Sequence, residues 1–421
     1  MRDQLVRAIR FYQRQLEEVR EGGRCILFRK SWNLLKLIFY TILCLPLVPV
    51  VVFIRLLRPL VLIRFGLLIS SRIGHYAANT EIYLCGRDAG LQPKHAFDIF
   101  FEQETVCNRQ LKKMWERSRA LRVWSFSRAL YFANKLLPGS KKHTIPIQSD
   151  RDIHGLIDST PGHLSFTPEE ERKGREELNK LGIPDNAGYI CFHGRNPYYL
   201  KKVFPSWDFS YHDYLDVDIR NFIPAVEELC RRGNFLVRTG AVVKEPLEIV
   251  HPMIIDYAWN HRSDFLDVYL AANCRFYLLS PTGIYAVAEI FRRPGAFVNV
   301  ASVEYVVSWA RNTLSIFKKY WLIKERRFMT FREILDSGAG RFVYRRQFEQ
   351  LGIELIENTP EEITALAIEM DERLNGTWQT TEEDEELQQR FWSLYKASEL
   401  HGKIVSRIGT QFLRQHRHLL E

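Results

Sequence analysis

Two short motifs in the second half of the chain combine residue types that bind phosphate. Residues 193–195 read His-Gly-Arg directly after an apolar run of strand length. The guanidinium fork of Arg195 can grip two phosphate oxygens, and Gly194 lets backbone amides approach a ligand closely. Residues 280–283 read Ser-Pro-Thr-Gly before a helical pattern, so hydroxyls and the free amides of a helix start would form a second anion cradle. The group that both motifs would accommodate is a nucleotide diphosphate.

Each motif also has a structural interpretation. Residues 193–195 could be a structural histidine beside a surface arginine, because short patterns often match by chance. Residues 280–283 could be a helix cap, since serine and threonine are preferred there for stability alone. A third polar strand exit, Arg238 after the apolar residues 235–237, would lie at the same edge of a parallel sheet. We predict His193 and Arg195 as catalytic residues. The predicted ligand-binding residues are Gly194, Arg195, Arg238, Ser280, Thr282 and Gly283.

The elements that must position these motifs follow from the hydrophobic pattern between residues 188 and 300. Apolar runs of strand length alternate there with helical periodicity, which predicts a parallel, doubly wound sheet. In such sheets the ligand lies beyond the carboxyl ends of the strands. The pattern before residue 184 is mixed, with a strand-like run at 81–85 and a helix that begins with Thr167 as its cap. We expect a first α/β domain there.

Two closely spaced carboxylate pairs could hold a metal ion. They read Asp216-Val217-Asp218 and Asp150-Arg151-Asp152, and neither follows an apolar strand. Chance places about one such pair in a chain of this length, so we expect solvated or helix-capping carboxylates. No His-Glu-x-x-His, Gly-x-Ser-x-Gly or Gly-x-x-x-x-Gly-Lys motif occurs, which argues against a metalloprotease, a hydrolase and a P-loop enzyme. The sequence predicts neither a bound metal nor a cofactor.

The amino-terminal region favours a lipid partner. Residues 37–54 contain no charge over 18 positions, about the shortest length that crosses a hydrocarbon core of roughly 30 Å, but Pro46 and Pro49 interrupt the run. A single span, a re-entrant or interfacial element and a buried core helix all stay open. Residues 1–30 have the pattern of an amphipathic basic helix, and the chain of 421 residues has a formal net charge of +9. Basic residues flank the apolar run, which predicts association with membrane lipids.

Two further features concern compartment and partners. Seven scattered cysteines without a Cys-x-x-Cys pair fit a reducing compartment. Residues 309–327 mix basic and aromatic side chains as nucleic-acid surfaces do, but no RNA-binding motif accompanies them. We therefore expect no nucleic-acid partner.

Between residues 189 and 300 the chain resembles a family of bacterial glycosyltransferases with two Rossmann-like domains, a GT-B-like architecture. The matching segments are FHGRNPYYL, YHDYLDVDIRNFIPAVEEL, GNFLVRTG, IIDYA and DFLDVYLAANCRFYLLSPTGIYAVAEIFRRP. More distantly, the chain is similar to the donor domain of the fucosyltransferase superfamily, whose members carry a His-x-Arg exit and a late hydroxyl-rich loop before a helix. That superfamily continues with another basic residue and an aspartate, where Asn196, Pro197 and Tyr198 stand here.

The resemblance implies a metal-independent glycosyltransferase of hexosyl or fucosyl type whose carboxyl-terminal domain holds the donor. Arg195 would bind the donor diphosphate with His193 beside it, and Ser280, Thr282 and Gly283 would line its phosphate and ribose side. The sugar would pass from a nucleotide-diphosphate donor to a surface-polysaccharide or glycolipid acceptor. The reaction would take place at the cytoplasmic face of a bacterial inner membrane.

Two other functions are compatible with the same residues. One is a membrane-tethered protein that binds a nucleotide sugar or a polysaccharide without turnover, and the other is a sugar-nucleotide epimerase. An inverting transfer would need a base, for which His193, Asp88 and Asp218 are candidates. The predicted parts of the chain are an amphipathic helix at 1–30, a membrane-associated segment at 31–72, an acceptor domain at 75–184, a donor domain at 187–378 and a helical tail at 379–421.

Overall fold

The computed structural model describes residues 42–203, 208–396 and 400–421, together with residues 31, 35 and 398. It is a mixed α/β fold. Its helices are α1 (Val48–Leu56), α2 (Ile73–Asp88), α3 (Arg109–Arg117), α4 (Ser127–Lys135), α5 (Leu156–Ser159), α6 (Pro168–Lys180), α7 (Tyr198–Val203), α8 (Ile223–Arg231), α9 (Tyr257–Asn260), α10 (Asp264–Asn273), α11 (Tyr285–Ile290), α12 (Phe331–Asp336), α13 (Arg345–Gln350), α14 (Pro360–Asn375), α15 (Glu382–Ser393) and α16 (Thr410–Gln415). Its strands are β1 (Leu62–Leu68), β2 (Ala96–Glu102), β3 (Tyr189–His193), β4 (Phe235–Arg238), β5 (Ile254–Ile255), β6 (Tyr277–Leu279), β7 (Gly295–Val300), β8 (Thr313–Phe317), β9 (Lys319–Leu322), β10 (Arg327–Phe328), β11 (Ile353–Ile356) and β12 (Arg407–Ile408).

Seven strands of the described chain form one parallel sheet, in the order β12-β8-β7-β6-β3-β4-β5. The chain runs outward from β3 through β4 to β5, then returns to the other side of β3 and runs through β6, β7 and β8. The order of the strands therefore reverses between β3 and β6, and a doubly wound sheet binds its ligand beyond the carboxyl ends of the strands at such a point. The parallel sheet predicted for residues 188–300 is confirmed.

The central strands of this sheet are mostly apolar and are buried on both faces. β6 and β7 are buried along their whole length, which is typical of strands in parallel sheets. Helix α14 packs against α8 and begins with a capping box. The Thr359 hydroxyl accepts a hydrogen bond from the Glu362 amide, and the Glu362 carboxylate accepts one from the Thr359 amide. The predicted helix start at Thr167 is confirmed, and Thr359 caps α14 with the same arrangement of hydrogen bonds.

The strand predicted at residues 81–85 is wrong. These residues lie in the middle of α2, and β2 is the strand that falls within residues 75–184, all of which the structure describes. Nearly every residue of α2 from Tyr76 to Gly86 is buried, so this part of the helix has no exposed polar face that would give it a helical pattern in the sequence. A short apolar run of this kind does not distinguish a buried helix from a buried strand. The first α/β domain predicted for residues 75–184 stays a prediction.

The chain divides into two compact units that interleave along the sequence. The described part of the smaller unit consists of residues 42–67, Lys94–Phe101 and Val123–Pro146. The larger unit consists of Leu68–Pro93, Glu102–Arg122 and Ile147–Glu421. The domains predicted at residues 75–184 and 187–378 meet inside the larger unit, and this division of the chain stays a prediction.

The smaller unit has its own core. Strands β1 and β2 form a two-stranded sheet, and helices α1 and α4 contribute side chains that pack with it. The Arg64 guanidinium and the Asp98 carboxylate form a buried ion pair with two contacts of 2.7 Å. The buried core residues are Cys44, Val51, Phe65, Ile99, Leu130 and Ala133.

The described part of the predicted membrane-associated segment at 31–72 contains both a helix and a strand. Residues 62–68 form β1, whose Phe65 is buried in the core of the smaller unit, and the membrane association of the segment stays a prediction. The amphipathic helix predicted at 1–30 lies outside the described residues. Every helix in the part of the chain that the structure describes is too short or too polar to span a bilayer.

The carboxyl-terminal residues complete the large sheet. Strand β12 pairs in parallel with β8, and Arg407 lies opposite Leu314. Helix α15 begins at the cap Thr381, and the Arg414 guanidinium of α16 binds the Asp384 carboxylate at 2.7 Å. The segment predicted as a helical tail therefore belongs to the sheet of the larger unit and adds an edge strand to it.

Candidate functional site

A cavity of about 400 Å³ opens in the larger unit beyond the carboxyl ends of β3, β4 and β6. Pockets for small ligands are typically of this size and occur at this edge of doubly wound sheets. Every residue that lines it belongs to the larger unit. The lining residues are Ser71, Arg72, Ile73, Gly74, His75, Cys107, Asp150, His193, Arg195, Asn196, Tyr199, Phe209, His212, Leu215, Thr239, Gly240, Ala241, Val242, Arg262, Asp267, Pro281, Thr282, Gly283 and Ile284.

His193 ends β3 and enters the cavity as a neutral imidazole. Its Nδ1 lies 2.8 Å from the Thr239 carbonyl oxygen, so Nδ1–H donates to that oxygen and Nε2 carries the lone pair. Burial lowers the pKa of His193 to about 4, and the neighbouring Arg238 and Arg195 add to the shift. Gly240 packs against the ring, since a Cβ at that position would lie 3.2 Å from it. His193 therefore accepts hydrogen bonds at neutral pH.

Arg195 links the two motifs predicted from the sequence. Its backbone amide donates to the Ser280 hydroxyl at 2.9 Å, which holds the end of β3 against the 280–283 turn. The Nη1 atom of Arg195 donates to the His212 carbonyl oxygen at 3.0 Å and to the Asp216 carboxylate at 2.5 Å. Within the described chain, Nε and Nη2 have no hydrogen-bond partner. One edge of the guanidinium is thus held by the protein, and the other is available to a ligand.

Asp216 is the counterion that positions Arg195. Burial raises the pKa of Asp216 from its ordinary 3.8 to about 6, although the Arg195 guanidinium acts in the opposite direction. The Lys318 ammonium donates to the Asp216 carbonyl oxygen at 2.9 Å and lies 3.8 Å from Glu357. Burial lowers the pKa of Lys318. A buried layer of opposite charges therefore supports the Arg195 side chain from behind.

The first turn of α2 forms part of the cavity wall, and sequence reasoning missed it. Arg72 is the N-cap residue, and no side chain caps the helix. The first amides of a helix have no acceptor within it, so this 16-residue helix presents free N–H groups and the positive end of its dipole. Arg72 itself forms no ion pair within the described residues. The sequence shows Gly74 at the start of a helix that follows an apolar run. The apolar run was assigned to the membrane, so this helix start was not considered.

Gly74 and Gly283 bring two backbones into contact at the cavity. A Cβ on Gly74 would lie 2.9 Å from the Cα of Gly283, closer than real Cβ atoms approach. A Cβ on Gly283 would lie 3.2 Å from the Gly74 nitrogen. Helices α2 and α11 also pack against each other. Glycine at both positions lets the first turn of α2 approach the 280–283 turn closely.

Two further groups of polar side chains line the cavity. The Arg262 guanidinium lies 2.8 Å from the Asp267 carboxylate, which also accepts a hydrogen bond from the Tyr257 hydroxyl at 2.8 Å. Burial raises the pKa of Asp267 to about 6. His75 lies in the first turn of α2, and its Nδ1 is 3.8 Å from an Asp150 carboxylate oxygen. No spacing in the sequence connects the members of either group.

Three predicted ligand-binding residues lie behind the cavity wall. Ser280 is fully buried and its hydroxyl holds the Arg195 amide. Gly194 packs against Ile219, which would lie 3.1 Å from a Cβ. The Nη1 atom of Arg238 is bound to the Glu245 carbonyl oxygen at 3.0 Å and to the Asp256 carboxylate at 3.2 Å. Of the predicted residues, the cavity wall contains His193, Arg195, Thr282 and Gly283.

The other candidate carboxylates have structural partners. Asp88 accepts from His163 at 2.9 Å. Asp218 caps a helical turn by accepting from the Arg220 amide at 2.9 Å, and Asp152 accepts from the Ile157 amide at 2.7 Å. None of the three carboxylates lines the cavity.

One cluster of potential metal ligands lies outside the cavity wall. Ligand atoms of Glu81, Cys85 and His163 lie within 4.8 Å of one another. The Arg292 guanidinium already pairs with Glu81 at 2.6 Å. Burial opposes protonation of His163, but its hydrogen bonds to Cys85 and Glu81 raise its pKa to about 10. In this arrangement the three side chains and Arg292 form an internal network of ion pairs.

No protein-family model and no curated protein matches the chain. Among solved structures, the chain is similar to E. coli ADP-heptose lps heptosyltransferase II at 12% identity, over 60% of this chain and 90% of that chain, with a TM-score of 0.35. It is similar to the glycosyl transferase family 9 structure from Veillonella parvula at 12% identity, over 61% and 86% of the two chains, with a TM-score of 0.38. It is similar to the E. coli heptosyltransferase WaaC with ADP-2-deoxy-2-fluoro heptose at 11% identity, over 60% and 93%, with a TM-score of 0.31.

Proposed function

We propose that this chain is a glycosyltransferase that binds a nucleotide-diphosphate sugar in the cavity of the larger unit. The observation that carries the proposal is the convergence of three anion-binding features at the point where the strand order reverses. These features are the free edge of the Arg195 guanidinium, the uncapped first turn of α2 and the 280–283 turn. A diphosphate offers enough oxygens to engage all three at once.

In the proposed reaction, the acceptor hydroxyl oxygen forms a bond to the sugar carbon, the bond between that carbon and the diphosphate breaks, and the diphosphate leaves with the electron pair. The charge that develops on the leaving oxygens would be stabilised by Arg195 and Arg72 and by the first amides of α2. Positive charge fixed before the reaction stabilises this state without reorganisation. We propose a metal-independent reaction because these groups supply the positive charge that stabilises the leaving diphosphate.

We assign the proton acceptor of an inverting transfer to His75. Its Nδ1 lies 3.3 Å from the Asn79 amide oxygen and 3.8 Å from the Asp150 carboxylate, so Nδ1–H would point to these groups and Nε2 would accept the proton of the acceptor hydroxyl. The Asp150 charge would stabilise the resulting imidazolium. His193 is a poor base near neutral pH because its pKa is about 4. Its Nε2 is better suited to orient a sugar or acceptor hydroxyl.

The acceptor and the location are further parts of the proposal. We propose a surface-polysaccharide or glycolipid acceptor at the cytoplasmic face of a bacterial inner membrane. The excess of basic residues and the apolar run at 37–54 support a lipid surface as the place of action.

The test uses the purified full chain and a panel of ADP, UDP and GDP. We expect one of these nucleotides to bind best in calorimetry, and the sugar nucleotide of the same base to be hydrolysed slowly to nucleotide diphosphate and free sugar. The variant Arg195→Ala should lose both properties. Binding without release of the nucleotide would support a binding protein instead, and conversion of the donor sugar without release would support an epimerase. Failure of all three nucleotides to bind would contradict the proposal.

A further inference from the structure

The smaller unit exposes apolar side chains on helices that already bury another face. Helix α1 buries Val51 in the core of the unit but exposes 61% of Phe53 and 72% of Leu56. Helix α4 buries Leu130 in the same core and exposes Phe132 on the other side. Helix α1 is apolar all round apart from Arg55, which is typical of a helix covered by protein or by lipid. We call these exposed residues, together with Leu60, Trp124, Phe126 and Leu136, the apolar face.

The two helices of the apolar face are fastened together. The Arg55 guanidinium of α1 donates to the side-chain oxygen of Asn134 in α4 at 2.6 Å and to the Pro138 carbonyl oxygen at 2.6 Å. The Trp124 ring stacks on the Phe126 ring at 5.6 Å between centroids. These contacts hold the exposed side chains on a rigid support, so their exposure does not come from a loose segment.

The charge of the smaller unit indicates an anionic partner. Its described part contains eight basic residues and one acidic residue, Asp98, which the Arg64 guanidinium neutralises in the core. No carboxylate of this part is therefore left to repel an anionic surface. The basic residues are Arg55, Arg58, Arg64, Lys94, Arg128, Lys135, Lys141 and Lys142. Apolar side chains beside a net positive charge are the features by which proteins bind the interface of anionic bilayers.

We propose that the apolar face inserts into the surface of a membrane that contains anionic lipids. Because α1 is packed against the core of its own unit, only its outer side is available to lipid, and the helix would lie in the plane of the interface. Trp124 would lie at the level of the headgroups, where tryptophan is favoured. The proposal names the surface responsible for the membrane location given under the proposed function, and it holds whether or not the cavity transfers a sugar.

The experiment measures co-sedimentation of the full chain with vesicles of phosphatidylcholine alone or mixed with phosphatidylglycerol. We expect binding to the mixed vesicles that weakens with salt. The double variant Leu56→Ser/Leu60→Ser should reduce partitioning about tenfold or more, because burying one leucine side chain changes a transfer equilibrium by roughly that factor. The matched control is Leu91→Ser/Ile323→Ser, which removes two leucine-sized exposed side chains from the larger unit and should leave binding unchanged.

A second measurement reports directly on Trp124. Phosphatidylcholine brominated in its acyl chains should quench the tryptophan fluorescence of the bound protein, and Trp124→Phe should remove much of that quenching. Equal binding of the double variant and the wild type would overturn the proposal, and so would an apolar face that mediates self-association without binding vesicles. Nucleotide binding measured without vesicles should be the same in the double variant and the wild type. A failure of membrane binding can therefore be distinguished from a failure of the proposed site.

Discussion

Replacing Arg195 by glutamine removes the charge on which the proposed site depends and leaves a shorter polar side chain. The Arg195 side chain is 15% exposed, so water screens its interactions only weakly. Its Nη1 atom is bound to Asp216 and to the His212 carbonyl oxygen, which leaves Nε and Nη2 for the ligand. The substitution therefore removes the ligand-binding edge and also releases Asp216 from its ion pair.

The magnitude follows from the number of bonds lost. A hydrogen bond to a charged group contributes about 1.5–3 kcal/mol, so the loss of one such bond weakens binding roughly 10- to 150-fold. We expect Arg195→Gln to fall within or above this range for the preferred nucleotide diphosphate. The cost in folding should be smaller, because the pKa of Asp216, already raised to about 6 by burial, would rise further without Arg195. A larger fraction of its carboxyl groups would then be uncharged at a given pH.

The matched control is Arg220→Gln. Arg220 also pairs with an aspartate, Asp218 at 2.6 Å, but its side chain is 74% exposed and does not line the cavity. Calorimetry should give wild-type affinity for Arg220→Gln and weak or undetectable binding for Arg195→Gln, with both variants folded by thermal melting. Equal nucleotide affinities in these two variants would refute the reasoning.

Three further predictions test other parts of the site. The raised pKa of Asp216 makes the folded state hold a proton that the unfolded state loses, so the contribution of Asp216 to the free energy of unfolding should fall as pH rises from about 4 to 6. Urea titrations of the wild type and Asp216→Asn should show this fall as the difference between the two proteins. Gly74→Ala should cost about 1–3 kcal/mol of stability because its Cβ would overlap Gly283. Gly86→Ala in the same helix, whose Cβ would meet only side chains at 3.8 Å or more, should be neutral or stabilising in the same melts. His75→Gln should lower kcat with little change in donor affinity, and a loss of affinity equal to that of kcat would contradict its assignment as the base.

Elements with strong local signals could be predicted from the sequence. The capping boxes at Thr167 and Thr359 place carboxylates three residues after a threonine, and the hydrogen bonds involved lie within one turn. The alternation between residues 188 and 300 predicted the parallel sheet, because strands buried on both faces must be apolar throughout. The strand predicted at residues 81–85 was wrong, since a buried helix can have the same apolar composition as a buried strand.

For the cavity, the sequence could predict which residues follow the strands but not the direction of their side chains. The sequence identified residues 193–195 and 280–283 as strand exits, and parallel strands must end at one edge of a sheet. It did not reveal that Arg238 binds Asp256 and Glu245 while Arg195 lines the cavity, because the direction of a side chain depends on which loop packs over it.

By itself, the sequence determined the hydrophobic periodicity, the helix caps and the polar residues that follow the strands. All of these depend on neighbours within a few positions of the chain. The tertiary structure alone decided that the first turn of α2 lies against the 280–283 turn. Gly74 and Gly283 are more than two hundred residues apart, and their contact depends on the packing of α2 against α11. Arg72 and His75 reach the cavity only through that packing, so no local pattern could have assigned them to it.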